Sequence, residues 1–137
     1  MRILVDTNVL ISAYVYGGKP RALIHRLLGG EHTMVVTSYI DREFREKLRQ
    51  KWPLIMEKIL SMYEMTYFRH LESTDERYGE LRDLKDIPVL SDAIYHRIDV
   101  ILTGDRDFLE ADLKRPIALS VSMLWDYLDE KDAENKM

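Results

Sequence analysis

Short aliphatic runs alternate along the chain with stretches whose apolar residues recur every three or four positions. The first run, Ile3 to Val5, ends in Asp6-Thr7-Asn8, residue types that favour turns and helix N-caps. This predicts a buried strand with a helix directly after it. Val9, Leu10, Ala13 and Tyr14 keep helical spacing until Gly17-Gly18, and Pro20 opens a second helix with Leu23, Ile24, Leu27 and Leu28 on one side. Gly29-Gly30 closes it. Thr33 to Thr37 predicts a second strand, and Ser38 a cap for a helix aligning Ile40, Phe44 and Leu48 until Trp52-Pro53. Pro53 predicts the start of another helix carrying Leu54, Ile55, Ile59, Leu60 and Met62. Met65 to Leu71 reads as a third strand, with the end of that helix as the alternative.

Glu72 to Lys85, charged, aperiodic and containing Gly79, reads mostly as loop. Asp86 then stands before a helical stripe of Ile87, Leu90, Ile94 and Ile98. Val100 to Thr103 is a further strand, ending in Gly104-Asp105-Arg106-Asp107, and Ile117 to Leu119 another. Ser122 is a candidate cap for a last helix with Met123, Leu124, Tyr127 and Leu128 on one face. Strands separated by helices require crossovers, hence parallel pairing with helices on both faces of the sheet. The expected fold is therefore an α/β class, three-layer α/β/α sandwich with a central, mostly parallel sheet. One domain is expected over residues 1–128, followed by a charged, frayed tail at 129–137.

Composition narrows the chemistry. The chain has 137 residues, enough for one core, and 46% hydrophobic with 32% charged residues is ordinary globular usage. The absence of Cys excludes disulfides, thiolate catalysis and Cys-ligated zinc, and suits a reducing, cytoplasmic setting. No window reaches the ~18 consecutive apolar residues of a membrane helix, and Asp6 arrives too early for a secretory leader. Neither membrane insertion nor secretion is expected. A net charge of -4 gives no global basic field, so a nucleic-acid partner would have to be met by a local patch.

Two strands end in acids, at Asp6 and Asp105. In a parallel sheet all C-terminal strand ends share one edge, and ligands gather there where the strand order reverses. Two carboxylates held close repel one another unless a cation lies between them, and oxygen donors without Cys or paired His favour Mg2+ or Mn2+. The alternative for each Asp alone is a helix N-cap or turn former. His25, His32, His70 and His96 show no ligand spacing. There is no Gly-rich phosphate loop, and no nucleophile elbow to suggest a Ser-His-Asp triad.

Val5-Asp6-Thr7-Asn8-Val9-Leu10, Asp86-Ile87-Pro88-Val89-Leu90 and Asp99-Val100-Ile101-Leu102-Thr103-Gly104-Asp105-Arg106-Asp107-Phe108 together resemble the PIN domain family. The resemblance is nearest to its single-domain prokaryotic branch, the VapC-like toxin components of toxin-antitoxin systems. It implies a Mg2+- or Mn2+-dependent endoribonuclease with its site at the C-terminal sheet edge. The family acids fall on Asp6, Glu43, Asp86 and Asp105, which would be both catalytic residues and metal ligands. Asn8 and Thr103 match polar positions that orient the acids. Asp107 matches a frequent extra acid that either reaches a second ion through water or caps the turn before Phe108. Helical phase alone does not select Glu43 over Asp41 or Glu46. Asp92 is the rival to Asp86, with solvation at the surface as its alternative state.

Cations placed to grip RNA are Lys19, Arg21, Arg42, Arg45, Lys47 and Arg106, and Tyr14, Tyr16 or Tyr39 are candidates to stack an unpaired base, core packing being the other reading. Single-stranded or looped RNA is the expected substrate. The resemblance also implies a homodimer and a small antitoxin protein as partner. Two other readings remain open at this level: a PIN-like module that binds RNA or protein without cutting, and a receiver-like Mg2+-binding signalling domain. The latter expects an acidic pair after the first strand, where this chain has Thr7-Asn8 after Asp6.

Overall fold

In the computed structural model, which describes residues 1–78 and 86–136, β1 (Arg2–Val5) lies at the centre of a five-stranded sheet. The others are β2 (Thr33–Thr37), β3 (Arg69–Leu71), β4 (Val100–Leu102) and β5 (Ile117–Leu119), in the order β3-β2-β1-β4-β5. Every pairing is parallel. Ile3, Leu4, Val5, Val35, Val36, Ile101 and Leu102 are completely buried, which is why these strands read as unbroken aliphatic runs rather than alternating ones.

The helices are α1 (Thr7–Ile11), α2 (Gly18–Leu28), α3 (Ser38–Lys51), α4 (Met56–Met65), α5 (Ile87–Tyr95), α6 (Arg106–Glu110) and α7 (Val121–Asn135). α2 packs on α7, while α3 packs on α1, α4 and α5. The sheet is thereby enclosed as the middle layer of an α/β/α sandwich. The core beside α3 is aromatic: Phe44 and Tyr63 meet edge-on at 4.8 Å between centroids, with Tyr14 and Phe68 against Tyr63. Buried hydroxyls there find partners, Tyr14 donating to Thr66 Oγ1 at 2.6 Å and Tyr63 to Asp41 Oδ1 at 2.8 Å.

The structure departs from the sequence pattern at several places. Ser12–Tyr16 form a π-helical turn, with the Gly17 amide reaching back to the Ser12 carbonyl at 2.9 Å. Gly17 and Gly18 both have positive φ, which lets the chain reverse directly into α2. Trp52 to Ile55 is a turn rather than the start of α4, and Leu54 is 98% exposed, because Pro53 follows the last turn of α3 and the helix resumes only at Met56. The cap of α7 is Ser120, accepting from the Met123 amide at 3.2 Å, not Ser122. Ser38 lies inside α3, its hydroxyl accepting from the Ser73 amide.

The tail expected to fray continues α7 as helix through Asn135. Its anchor is Arg26, which pairs with Asp129 at 2.8 Å and Asp132 at 2.7 Å and stacks over Trp125. Of the expected loop from Glu72 to Lys85, residues 72–78 are irregular and 79–85 lie outside the described residues. The Met65 to Leu71 alternatives resolve as helix to Met65 and strand from Arg69.

Candidate functional site

Parallel pairing puts Val5 opposite Leu102, so the residues following β1 and β4 emerge side by side where the strand order reverses. Asp6 is the N-cap of α1: its Oδ1 accepts from the Thr7 amide at 2.8 Å, while its carbonyl takes the Val9 and Leu10 amides. Its Oδ2 accepts from the Thr103 hydroxyl at 2.8 Å. The same Thr103 oxygen accepts the Asp105 amide at 3.0 Å. One hydroxyl thus sets the spacing between the first and the last acid. Asn8 adds a second tie, Oδ1 accepting from the Gly104 amide at 3.3 Å. Asp105 caps α6 by taking the Asp107 amide on Oδ1 at 2.8 Å.

These elements enclose a cavity of about 200 Å³ lined by Asp6, Thr7, Asn8, Glu43, Lys47, Asp86, Val89 and Asp105. All four acids named from the resemblance therefore line one pocket. Glu43 reaches it from α3, and Asp86 from the start of α5, where it occupies the N-cap position without making a capping hydrogen bond. Larger hollows of about 420 and 460 Å³, beside Arg97 and Tyr67 respectively, have no acidic lining residue.

Asp6 is only 7% exposed. Burial raises its pKa above the ordinary 3.8; the Thr103 and Thr7 hydrogen bonds pull the other way, and the charges of Glu43 and Asp105 push it further up. The tension is electrostatic, and a cation would relieve it. The donors suit a hard divalent ion: Asp86, Asp105 and Asp107 each place a carboxylate oxygen within 4.8 Å of the others. A further feature fits. Thr7 is among the pocket's lining residues, and its buried Oγ1 has no hydrogen-bond partner among the described residues, as expected of a group awaiting a ligand or its water.

Other candidates fall elsewhere. Asp92 is buried rather than solvated, 1% exposed, and accepts from the Ser73 hydroxyl at 2.6 Å and the Thr74 amide at 2.8 Å; it fastens the 72–78 loop to α5 and does not line the pocket. Arg21 is turned inward, its Nε donating to the Ala13 carbonyl at 2.9 Å and so closing the π turn. Arg45 is held by Asp41 and Glu64, Arg106 pairs with Glu110, and Lys19 lies over Trp125. Arg42 is exposed beside the pocket. Tyr14 is core and Tyr16 packs edge-on against Trp52, leaving Tyr39 as the tyrosine near the acids.

Comparison with known proteins agrees with this geometry. Residues 2–107 match the family model of the PIN domain. The chain belongs to the PIN domain family. PIN domains are nucleases, hydrolases that cut phosphodiester bonds. A chain in the crystal structure of VapBC2 from Rickettsia felis bound to a DNA fragment from their promoter shares the fold, with a TM-score of 0.70 at 16% identity, over 88% of this PIN domain chain and 98% of that chain. No curated protein matches by sequence. Among the described residues, no helix is long and apolar enough to cross a membrane.

Proposed function

We propose that this PIN domain is a Mg2+- or Mn2+-dependent endoribonuclease acting as the toxin component of a toxin-antitoxin pair. One observation carries the reading: carboxylates from segments far apart in sequence, Asp6, Glu43, Asp86 and Asp105, converge on one pocket at the reversal point of a parallel sheet. In this reading those four hold the metal, with Asp107 beside them, and Asn8 and Thr103 keep the acids in place. Bound there, a divalent ion supplies an activated water and a counter-charge for the phosphate and the departing oxygen.

The protein's own contribution is rigidity and charge. Asp6 is fixed through both oxygens and cannot swing out of the pocket. Asp105 is clamped by its cap and by Thr103. The carboxylates repel an anionic backbone, so the scissile phosphate enters the pocket only in the metal-loaded state, whereas backbone contacts outside the pocket need no ion. The substrate is single-stranded or looped RNA met in the cytoplasm, the chain pairs as a homodimer, and a small antitoxin protein covers the pocket. The fold shared with the VapBC2 structure supports placing this domain in such a pair.

The test is calorimetric titration of Mn2+ into wild type and Asp6→Asn, followed by incubation of both with total RNA with and without EDTA. The reading expects metal binding and cleavage in the wild type, both lost in the variant, and cleavage lost in EDTA. Cleavage by Asp6→Asn, or by wild type in EDTA, would overturn it.

A further inference from the structure

The acidic pocket opens onto α3. Residues four apart on a helix share a stripe, so Tyr39, Glu43 and Lys47 form one row and Arg42, Glu46 and Gln50 the next. These two rows line a groove of about 370 Å³ that shares Glu43 and Lys47 with the acidic pocket. Lys47 is the one cation among the described residues lining that pocket.

Two other cations of α3 are engaged. Arg45 pairs with Asp41 and Glu64 and lies over the Tyr63 ring, and Arg49 pairs with Glu46 at 2.6 Å. Among the described residues, Arg42 and Lys47 make no ion pair, not even the Glu43–Lys47 pair that their spacing allows. Tyr39 is half-buried at the same groove, its backbone held by the Ser73 hydroxyl at 2.8 Å. A charge that is not neutralised, a positioned ring and a groove leading out of an acid site match the backbone and base of one nucleotide.

We propose that this face of α3 is the subsite for the nucleotide adjoining the scissile phosphate, with Lys47 and Arg42 holding phosphate oxygens and Tyr39 stacking the base of single-stranded RNA. This rests on the nuclease reading above. Lys47 offsets local negative charge without competing for a metal, so it acts on substrate and not on the ion.

The experiment measures binding of fluorescein-labelled oligouridine by anisotropy in EDTA across a salt series, with Asp6→Asn as parent so that no cleavage intervenes. Adding Lys47→Gln should weaken binding and reduce the slope of log K against log salt by about 0.7, the share of one phosphate contact on a single strand, and Lys47→Arg should restore it. Adding Tyr39→Leu should weaken binding about tenfold with the slope unchanged. In the otherwise wild-type protein, Lys47→Gln should leave Mn2+ affinity unchanged or slightly tighter. Unchanged slope and affinity in Lys47→Gln, loss of Mn2+ affinity in it, or failure of the parent to bind RNA would each overturn the subsite. Failure of wild type to bind Mn2+ would instead overturn the metal-dependent reading, while the slopes still judge the subsite by themselves.

Discussion

Thr103→Val removes one oxygen and almost no volume, so it isolates what that hydroxyl does. The side chain is completely buried, donates to Asp6 at 2.8 Å and accepts from the Asp105 amide at 3.0 Å. A hydrogen bond to a charged group contributes about 1.5 to 3 kcal/mol and a neutral one about 1 kcal/mol, so the variant should lose roughly 2 to 4 kcal/mol. At roughly 3 to 5 °C per kcal/mol for a chain of this length, Tm should fall on the order of 10 °C. The same hydrogen bond lowers the Asp6 pKa, so its loss drives the carboxyl further upward and lets the residue drift. Mn2+ affinity should drop about 10- to 100-fold, as for other groups that orient metal ligands. Thr103→Ser, which keeps the hydroxyl, should retain most of the affinity. Calorimetric unfolding in EDTA and Mn2+ titration read the two effects separately. A Val variant that melts within about 1 °C of wild type and binds Mn2+ equally well would refute the idea that this hydroxyl couples the two acids.

Other expectations follow from the same geometry. The folded-state pKa of Asp6 lies above its unfolded value, so its contribution to stability is complete below 3.8 and is lost as pH rises through the raised value. Metal-free wild type should therefore lose stability over that window, and Asp6→Asn should flatten the dependence and melt higher at neutral pH; a parallel pH profile for the two proteins in EDTA would count against it. Thr7→Val removes a buried hydroxyl that has no partner among the described residues, so metal-free stability should hold or rise while Mn2+ binding weakens, as read by melting and calorimetry. Asp92→Asn should cost about 1 to 3 kcal/mol in denaturant unfolding yet leave Mn2+ affinity intact, since its hydrogen bonds tie down a loop; lost affinity would return it to the ligand set.

The parallel sheet and the edge position of the acids were legible because strands buried on both faces read as plain aliphatic runs. Asp6 stands directly after one of them and Asp105 three positions after the end of another. Glu43 and Asp86 needed the family resemblance, because helical phase does not distinguish Glu43 from its acidic neighbours. Asp92 misled for a physical reason: it faces away from the apolar stripe of its helix, but the 72–78 loop folds over that face and buries it. Arg21 misled similarly, since it folds back onto carbonyls of the π turn that precedes its helix, and nothing in the sequence announces that turn. Lys47 follows Glu43 by one helical turn, so its place beside the pocket could be read only once Glu43 was selected. The C-terminal segment reads as a charged tail until its partner Arg26, on a helix distant in sequence, is known.

The bond between Thr103 and Asp6 spans 97 positions of the chain. A ribosome therefore releases the first acid long before the residue that aims it, and β1 must wait for β4 to arrive. Until then the carboxylates are scattered over an unclosed polypeptide and share no ion. Fragments and stalled nascent chains should be inert, and affinity for a divalent ion becomes a measure of how much of a sample has completed its fold. An added ion would in turn favour the closed state by mass action, so that maturation of the site and completion of the sheet are one event.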